Sequence, residues 1–517
     1  MVQARDGYPR GVPGPVRLLT LLIGAGLVAA TVLPRSFGLD AGLPLLLNED
    51  EQFSAGFARA LEVSGDLRGV SWHYPPLLGE LMAGACPGSC DEPALIFIGR
   101  VLSVIAAVFA VLATAAAARL AGARPLLACA AALLLAWSPT FTFMSRYATP
   151  DALCTAFVAL ALLACVGIQT AGNHRWYVLA GVAIGLAAGA KYNAGLVCVA
   201  VAAAHLTTAQ RWRRMPWLLI SAAISVAVFV LTLAWPWDGV DVVLEGLRYE
   251  WQHYAQGHGG FTTDRPLADA LVHLAVFTFG GVAVISAAIG AARSTQRGDR
   301  ARALVVPAIV FIGAYLVLIA RGQMFVDRLL LPVLPALALL VALGLDRLVD
   351  VVTRRGPRTT TLASLALAAA VLVQPLRATI GQVRALAPED SRLAAHRWIL
   401  ANLDDPDLKI LAVPRSARFV LDGLDPATVK IPRPEYVAQR LPHATHVVLA
   451  RGSYNRYLRT PERFPDEAAQ AKTLIDELER AAVRVHRFEN PPLPGAEHFG
   501  ATFALYHQVA VDVYVLP

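Results

Sequence analysis

The sequence predicts an all-α polytopic membrane protein with a small C-terminal extracytoplasmic α/β domain. Three observations carry that prediction. First, 56% of the 517 residues are hydrophobic and only 16% are charged, whereas a soluble domain carries roughly 25% charge. Second, the apolar residues gather into helix-length runs up to residue 376, and mixed polar sequence follows. Third, the basic residues sit in short clusters between those runs. A mean hydropathy of +0.53 excludes a disordered chain. The net charge of +7 comes from 41 Arg and 4 Lys. Arginines confined to loops between apolar runs are a membrane-topology signal and exclude a nucleic-acid surface as their explanation.

A helix needs about 20 apolar residues to cross the hydrocarbon core. The candidate spans are 17–35, 95–118, 125–144, 152–170, 176–190, 192–204, 216–236, 267–292, 303–320, 328–345 and 359–376, about 11 crossings. The first is an uncleaved anchor rather than a signal peptide. Segments 176–190 and 192–204 are short and have two readings, a hairpin or one broken span. The basic clusters Arg119–Arg124, His174–Arg175, Arg211–Arg214, Arg293–Arg302 and Arg347–Arg358 share the side of the basic N-terminus only under the hairpin reading. The positive-inside rule therefore favours the hairpin, with its turn at 189–193 outside and the N-terminus cytoplasmic.

The first outer loop, 36–94, holds nine carboxylates against Arg59 and Arg68. Phe53, Phe57, Ala60 and Leu61 have the spacing of a helix lying along the membrane surface. Cys86 and Cys90 flank Pro-Gly-Ser; an oxidising exterior allows a disulfide there, and a zinc site would lack its second ligand pair. Cys129, Cys154, Cys165 and Cys198 are small apolar fillers of spans. Residues 377–517 form the external domain. Helical periodicity is expected over 391–402 and 466–482, and strands over 410–413, 446–449 and 511–515.

Under the hairpin topology, charged residues of both signs meet at one external boundary: Glu49, Asp50, Glu51, Arg146, Asp151, Lys191, Arg248, His258, Arg321 and Arg328. Ionisable groups at membrane depth are costly and point to function. Lys191 is the only lysine in the first 400 residues. A compact ammonium at a hairpin tip suits a phosphate, and an interfacial anchor is the competing reading. The run Glu49-Asp50-Glu51 reads as the N-terminal charge or cap of a helix, and Asp151 as the cap of the helix starting at 152. His73-Tyr74-Pro75-Pro76-Leu77 is a stiff extended segment.

The order of short motifs resembles a known family. It runs Asp50-Glu51, Gly65-Asp66-Leu67, Tyr74-Pro75-Pro76-Leu77, Ser145 to Asp151, Gly185 to Tyr192, Gly257-His258-Gly259 and Asp327 to Pro335. This order is similar to that of the C-type membrane glycosyltransferases of the dolichyl-phosphate-mannose protein mannosyltransferase group. The bacterial branch is nearest, namely the lipopolysaccharide-core and aminoarabinose transferases. The resemblance spans about residues 17–345 and implies the C-type glycosyltransferase fold for 1–376, with 36–94 as the catalytic outer loop.

It also implies the reaction: transfer of a sugar from a polyprenyl-phosphate carrier to a hydroxyl of a protein, lipid or glycan at the outer face of a bacterial plasma membrane. By that analogy Asp50 is the general base, with Glu51 and Asp151 in the catalytic set. Tyr74, Arg146, Lys191, Tyr192, His258, Arg321 and Arg328 bind substrate. A lipid phosphate is already a good leaving group, so one carboxylate serves the acceptor and fixed cations serve the phosphate. In-line attack inverts the anomeric carbon. The late motif Phe325-Val326-Asp327-Arg328-Leu329 departs from the family's Arg-Tyr-x-Leu-Pro and leaves Arg321 and Arg328 as alternatives. No cofactor or metal is required on this reading. A lipid or glycan transporter is the rival; it would place charges at the bilayer midplane within repeated halves.

Overall fold

Helix occurs within each of the expected apolar runs in the computed structural model. It describes all residues except 1–13, 46–47, 49, 66, 68–69, 71, 234–239, 258–260, 293–301, 354–356, 404–406, 414–419, 422, 425–428, 431–440, 459–460, 463 and 491–508. The helical part begins with α1 (Gly14–Ser36), α2 (Glu51–Val63), α3 (Leu77–Ala85) and α4 (Glu92–Leu120). Next come α5 (Pro125–Ala136), α6 (Pro139–Met144), α7 (Asp151–Thr170) and α8 (His174–Ala190). A 3-10 turn, Tyr192–Val197, leads to α9 (Cys198–Leu206), α10 (Met215–Leu231), α11 (Val240–Gln256), α12 (Pro266–His273), α13 (Gly281–Ala292) and α14 (Arg302–Ala320). A second 3-10 turn, Asp327–Val333, opens α15 (Leu334–Val352), and α16 (Pro357–Ala385) follows.

Among the described residues, five helical segments are long and apolar enough to cross a membrane alone: Leu18–Ser36, Glu92–Leu120, Asp151–Thr170, Asp327–Val352 and Pro357–Ala385. Other runs are broken or shorter. The expected span 125–144 is interrupted at Trp137-Ser138, where the Ser138 hydroxyl caps α6. The expected span 267–292 is bent by 116°. There α12 runs into a π turn at Leu274–Thr278, and the chain breaks at Gly280, whose φ of +89° suits only glycine without strain.

Local chemistry sets the helix starts. Asp91 accepts the Ala94 N–H at 2.9 Å ahead of Glu92-Pro93, and Asn173 accepts that of Arg175. Gly181 and Gly185 line one face of α8 against α10. A Cβ there would lie 2.5 Å from the Ser221 carbonyl or 2.6 Å from the Ser225 carbonyl, so only glycine permits this approach. The chain does turn back at Lys191: a Cβ on Gly195 would lie 3.0 Å from that of Ala188.

The amphipathic helix of the first outer loop is present as α2, but its buried side faces protein. Glu51, Ser54, Ala55, Phe57 and Ala58 are buried, and α2 packs on α3 and α4. Cys86 and Cys90 are disulfide-bonded. Glu62 lies close enough to complete a metal-ligand trio with them, but bridged sulfurs are not thiolate ligands.

Beyond α16, the C-terminal part is a three-layer α/β unit. It contains α17 (Ser391–Asn402), β1 (Ile410–Val413), β2 (Val429–Lys430), β3 (His446–Ala450), α18 (Gly452–Leu458), α19 (Pro465–Ala481), β4 (Val483–Phe488) and β5 (Val511–Val515). The sheet order is β2-β1-β3-β5-β4, parallel across β2-β1-β3 and antiparallel across β3-β5-β4. Residue alternation builds two cores. Val448, Ala450, Val511 and Val513 pack with Ala395 and Ile399 of α17. Val447, Leu449 and Tyr514 pack with Ala471, Leu474 and Leu478 of α19. The helix α16 runs through residue 376 to Ala385, so a continuous helix joins the two parts.

Candidate active site

Two acidic residues expected to cap helices do something else. Asp50 occupies the N-cap position of α2 without a side-chain cap bond, and its carboxylate pairs with the Arg328 guanidinium. Asp151 is the first residue of α7; Pro150 is the N-cap. The Asp151 carboxylate accepts from Lys191 Nζ at 2.8 Å. In each case a cation supplies more than a backbone N–H can.

Glu51 forms a third pair. Arg100 donates to it from Nε at 2.8 Å and Nη2 at 2.7 Å, and the Ala148 N–H donates at 2.7 Å. Arg100 Nη1 also holds the carbonyls of Leu39 and Ala41. This pair therefore ties together α2, α4, the loop after α1 and the turn before α7.

The three pairs differ in access. Side-chain exposure is 0% for Glu51 and 2% for Arg100, 2% for Asp151 and 5% for Lys191, but 15% for Asp50 and 20% for Arg328. Only the last of these pairs is open to a substrate without rearrangement.

Tyr74 links the groups. Lys191 Nζ lies 5.7 Å from its ring centre, and Arg328, Asp50 and Glu250 also act on its hydroxyl. Burial pushes that phenol above its usual range. Tyr192 donates to the Trp72 carbonyl at 3.4 Å. Arg146 is buried near Arg35 and Arg100, its Nη1 has no hydrogen-bond partner, and burial lowers the guanidinium to about 10. Arg321 is exposed at the end of α14. His258 lies outside the described residues. Of the two late arginines, Arg328 is thus the one that joins the cluster.

Helix α11 supplies groups that the motif reading passed over. Glu250 is half-buried, is bonded by Tyr254, and lies within the influence of Lys191, Arg328 and Asp50. Burial raises its carboxyl, and the two cations oppose that rise. The His73 ring stacks on Tyr249 with centres 3.6 Å apart, and His253 lies beyond Tyr249 at 5.7 Å. Burial, and then their mutual proximity, holds His73 below its usual range. The available signal was the spacing of Tyr249, Glu250, His253 and Tyr254, which puts them on adjoining faces of one turn.

Residues 94–235 match the family model described as dolichyl-phosphate-mannose-protein mannosyltransferase. Among curated proteins, none matches the sequence. ArnT from Cupriavidus metallidurans in the apo state superposes with a TM-score of 0.56 at 14% identity, over 97% of this chain and 98% of that one. The same protein bound to undecaprenyl phosphate gives 0.53 at 14% identity over the same shares. The Archaeoglobus fulgidus oligosaccharyltransferase in its apo form gives 0.52 at 15% identity, over 85% of this chain and 71% of that one. The chain thus has the fold of the C-type membrane glycosyltransferases and resembles their dolichyl-phosphate-mannose protein mannosyltransferase group.

Proposed function

We propose that the protein is an inverting glycosyltransferase that moves a sugar from a polyprenyl-phosphate carrier to a hydroxyl acceptor on the outer face of the membrane. The observation that carries this reading is the open Asp50–Arg328 pair beside the buried Lys191. Likeness to a protein solved with undecaprenyl phosphate supports the donor class. The membrane is a bacterial plasma membrane, with the N-terminus cytoplasmic. The loop 36–94 and the domain from 377 onward face outside, where acceptor choice resides.

The charges suggest an order of events. Without donor, Arg328 neutralises Asp50. A lipid phosphate arriving between Arg328 and Lys191 competes for Arg328 and frees the carboxylate. Asp50 then accepts the proton of the acceptor hydroxyl as its oxygen attacks the anomeric carbon. The bond to the phosphate oxygen breaks with inversion, and the two cations hold the charge that develops there. Asp151 fixes Lys191, and the Glu51–Arg100 pair fixes the helix start that carries Asp50. Tyr74 walls the site.

The test is transfer from labelled polyprenyl-phosphate sugars by the full-length protein in nanodiscs. Wild type transfers sugar from at least one donor, and Asp50→Asn loses transfer while still binding undecaprenyl phosphate. Turnover of Asp50→Asn at the wild-type rate removes Asp50 from the mechanism. Movement of intact donor across the bilayer without transfer favours the transporter.

A further inference from the structure

Helix α11 divides into three arcs, because successive residues of an α-helix turn by about 100°. Gly246, Tyr249, His253 and Tyr254 lie on the arc that meets protein. A Cβ on Gly246 would stand 2.3 Å from the Trp72 carbonyl and 3.1 Å from the Tyr192 hydroxyl. Tyr249 stacks on His73, and the Tyr254 carbonyl accepts the Gln323 N–H at 2.8 Å. Leu244, Leu247 and Trp251, spaced i, i+3 and i+7, share the next arc and are 48%, 40% and 59% exposed. Asp241, Glu245, Arg248, Gln252 and Gln256 share the third, and all five are exposed. An open apolar arc held between a protein face and a polar face suits the boundary between two solvents.

We propose that α11 lies along the outer leaflet, with Leu244, Leu247 and Trp251 in its acyl boundary and the polar arc toward water. The partner is a lipid surface. Position supports this: the protein arc rests on Trp72 and His73 of the first outer loop and on Tyr192 at the hairpin turn, the end of the bundle that holds the charge cluster. Continuity supports it too. Leu231 at the end of α10 and Leu271 of α12 are exposed, so α11 extends an apolar surface that the bilayer already covers. The residue types fit an interface. Trp and Leu supply the buried side, and Arg248, one turn after Leu244, can extend its guanidinium to the lipid phosphates. The polar arc carries two carboxylates against one arginine, so apolar burial drives the seating and attraction to anionic lipid does not. Where α2 turns its apolar side to protein, α11 leaves its own open. The same helix brings Tyr249 and His253 to the His73 stack, so the leaflet sets the depth at which these rings stand.

The test reads the depth of α11 in nanodiscs. It uses the full-length chain with its four free cysteines, Cys129, Cys154, Cys165 and Cys198, replaced by alanine. A nitroxide is attached in turn through Leu244→Cys, Leu247→Cys and Trp251→Cys, and through Glu245→Cys and Gln252→Cys on the polar arc. Relaxation is measured with molecular oxygen, which concentrates in lipid, and with a water-soluble nickel chelate. The three apolar positions should respond to oxygen and stand about 5–10 Å below the headgroup boundary. The two polar positions should respond to nickel. Depths should match in zwitterionic and in anionic nanodiscs; seating that requires anionic lipid would remove the apolar arc as its cause. Nickel access at the Trp251 position equal to that at Gln252 would put the arc in water and overturn the proposal. Shielding of all three apolar positions from both agents would mean that protein covers the arc, and this also overturns it. Burial that appears only with added undecaprenyl phosphate would make the arc a groove for the carrier chain, with the same consequence. Three separate label positions keep the result readable if one replacement disturbs folding. No readout uses transfer, so failure here leaves the glycosyl-transfer reading standing.

Discussion

Replacing Lys191 by Met separates the two roles assigned to this lysine. Asp151 and Lys191 are 1% and 4% exposed, and their charged atoms are 2.8 Å apart. At an effective dielectric of about 20, two unit charges at that distance attract by about 6 kcal/mol, most of which offsets desolvation of the two groups. Removing only the lysine leaves Asp151 buried without its cation, which costs about 3–5 kcal/mol. The position of Asp151 in the first turn of α7 points to the lower end, because the helix N-terminus partly compensates its charge. The double variant Lys191→Met/Asp151→Asn removes both charges at nearly constant volume and should recover most of the loss. Neither variant has a cation to offer a lipid phosphate. Unfolding in detergent and binding of labelled undecaprenyl phosphate are the paired assays. The expected result is a destabilised single variant, a double variant near wild-type stability, and weak lipid binding by both. Wild-type stability of Lys191→Met would refute the structural half. Wild-type lipid binding by the stable double variant would refute the phosphate contact.

Glu51→Gln should also destabilise by about 3–5 kcal/mol, because Arg100 keeps its burial and loses its counter-charge; Glu51→Gln that unfolds like wild type would show that Arg100 is satisfied without the carboxylate. For pH, His73 and His253 are both held below their ordinary values, first by burial. The unfolded chain therefore takes up protons at these histidines as pH falls below about 6.5, before the folded chain does. Stability present above that pH is lost on acidification. Unfolding temperature measured from pH 7.5 to 5.5 should fall less for His73→Phe, which keeps a ring on Tyr249, than for wild type. Equal falls would remove His73 from the acid response.

Long-range order was legible where a single physical variable controls it. Span positions follow apolar length: helix occurs within each expected run, and five helical segments among the described residues are long and apolar enough to cross alone. The strands at 410–413 and 511–515 were legible as short apolar runs because each side of the sheet meets a helix layer. The break at Gly280 was not, since glycine in an apolar run is neutral until its backbone angle is known. The cap readings of Asp50 and Asp151 failed because local propensity cannot see a cation from another helix: Arg328 is 278 residues from Asp50. Glu250 was missed for a related reason. α11 is amphipathic rather than span-like, so neither hydropathy nor a short motif drew attention to it. Arg328 itself was present in the sequence as one of two options, and its pairing selected it over Arg321.

The graded exposure of the three ion pairs suggests why so many charges are concentrated at one level. An ion pair shut away from water holds its partners firmly, but it does not readily exchange one of them for a substrate. Glu51–Arg100 has that character, with five hydrogen bonds into four segments of chain. Asp151–Lys191 is nearly as enclosed but leaves two ammonium protons beyond the bond to Asp151. Asp50–Arg328 faces the opening, where water lowers the cost of parting. A reaction that must hold a phosphate and release a base needs both kinds of pair: rigid ones to set the positions and one that can exchange partners. Glu51 and Asp50 are adjacent in sequence and take opposite parts, the first fixing the start of α2 and the second using the place so fixed. On this argument, closing Asp50 off from solvent would impair turnover as surely as removing its charge.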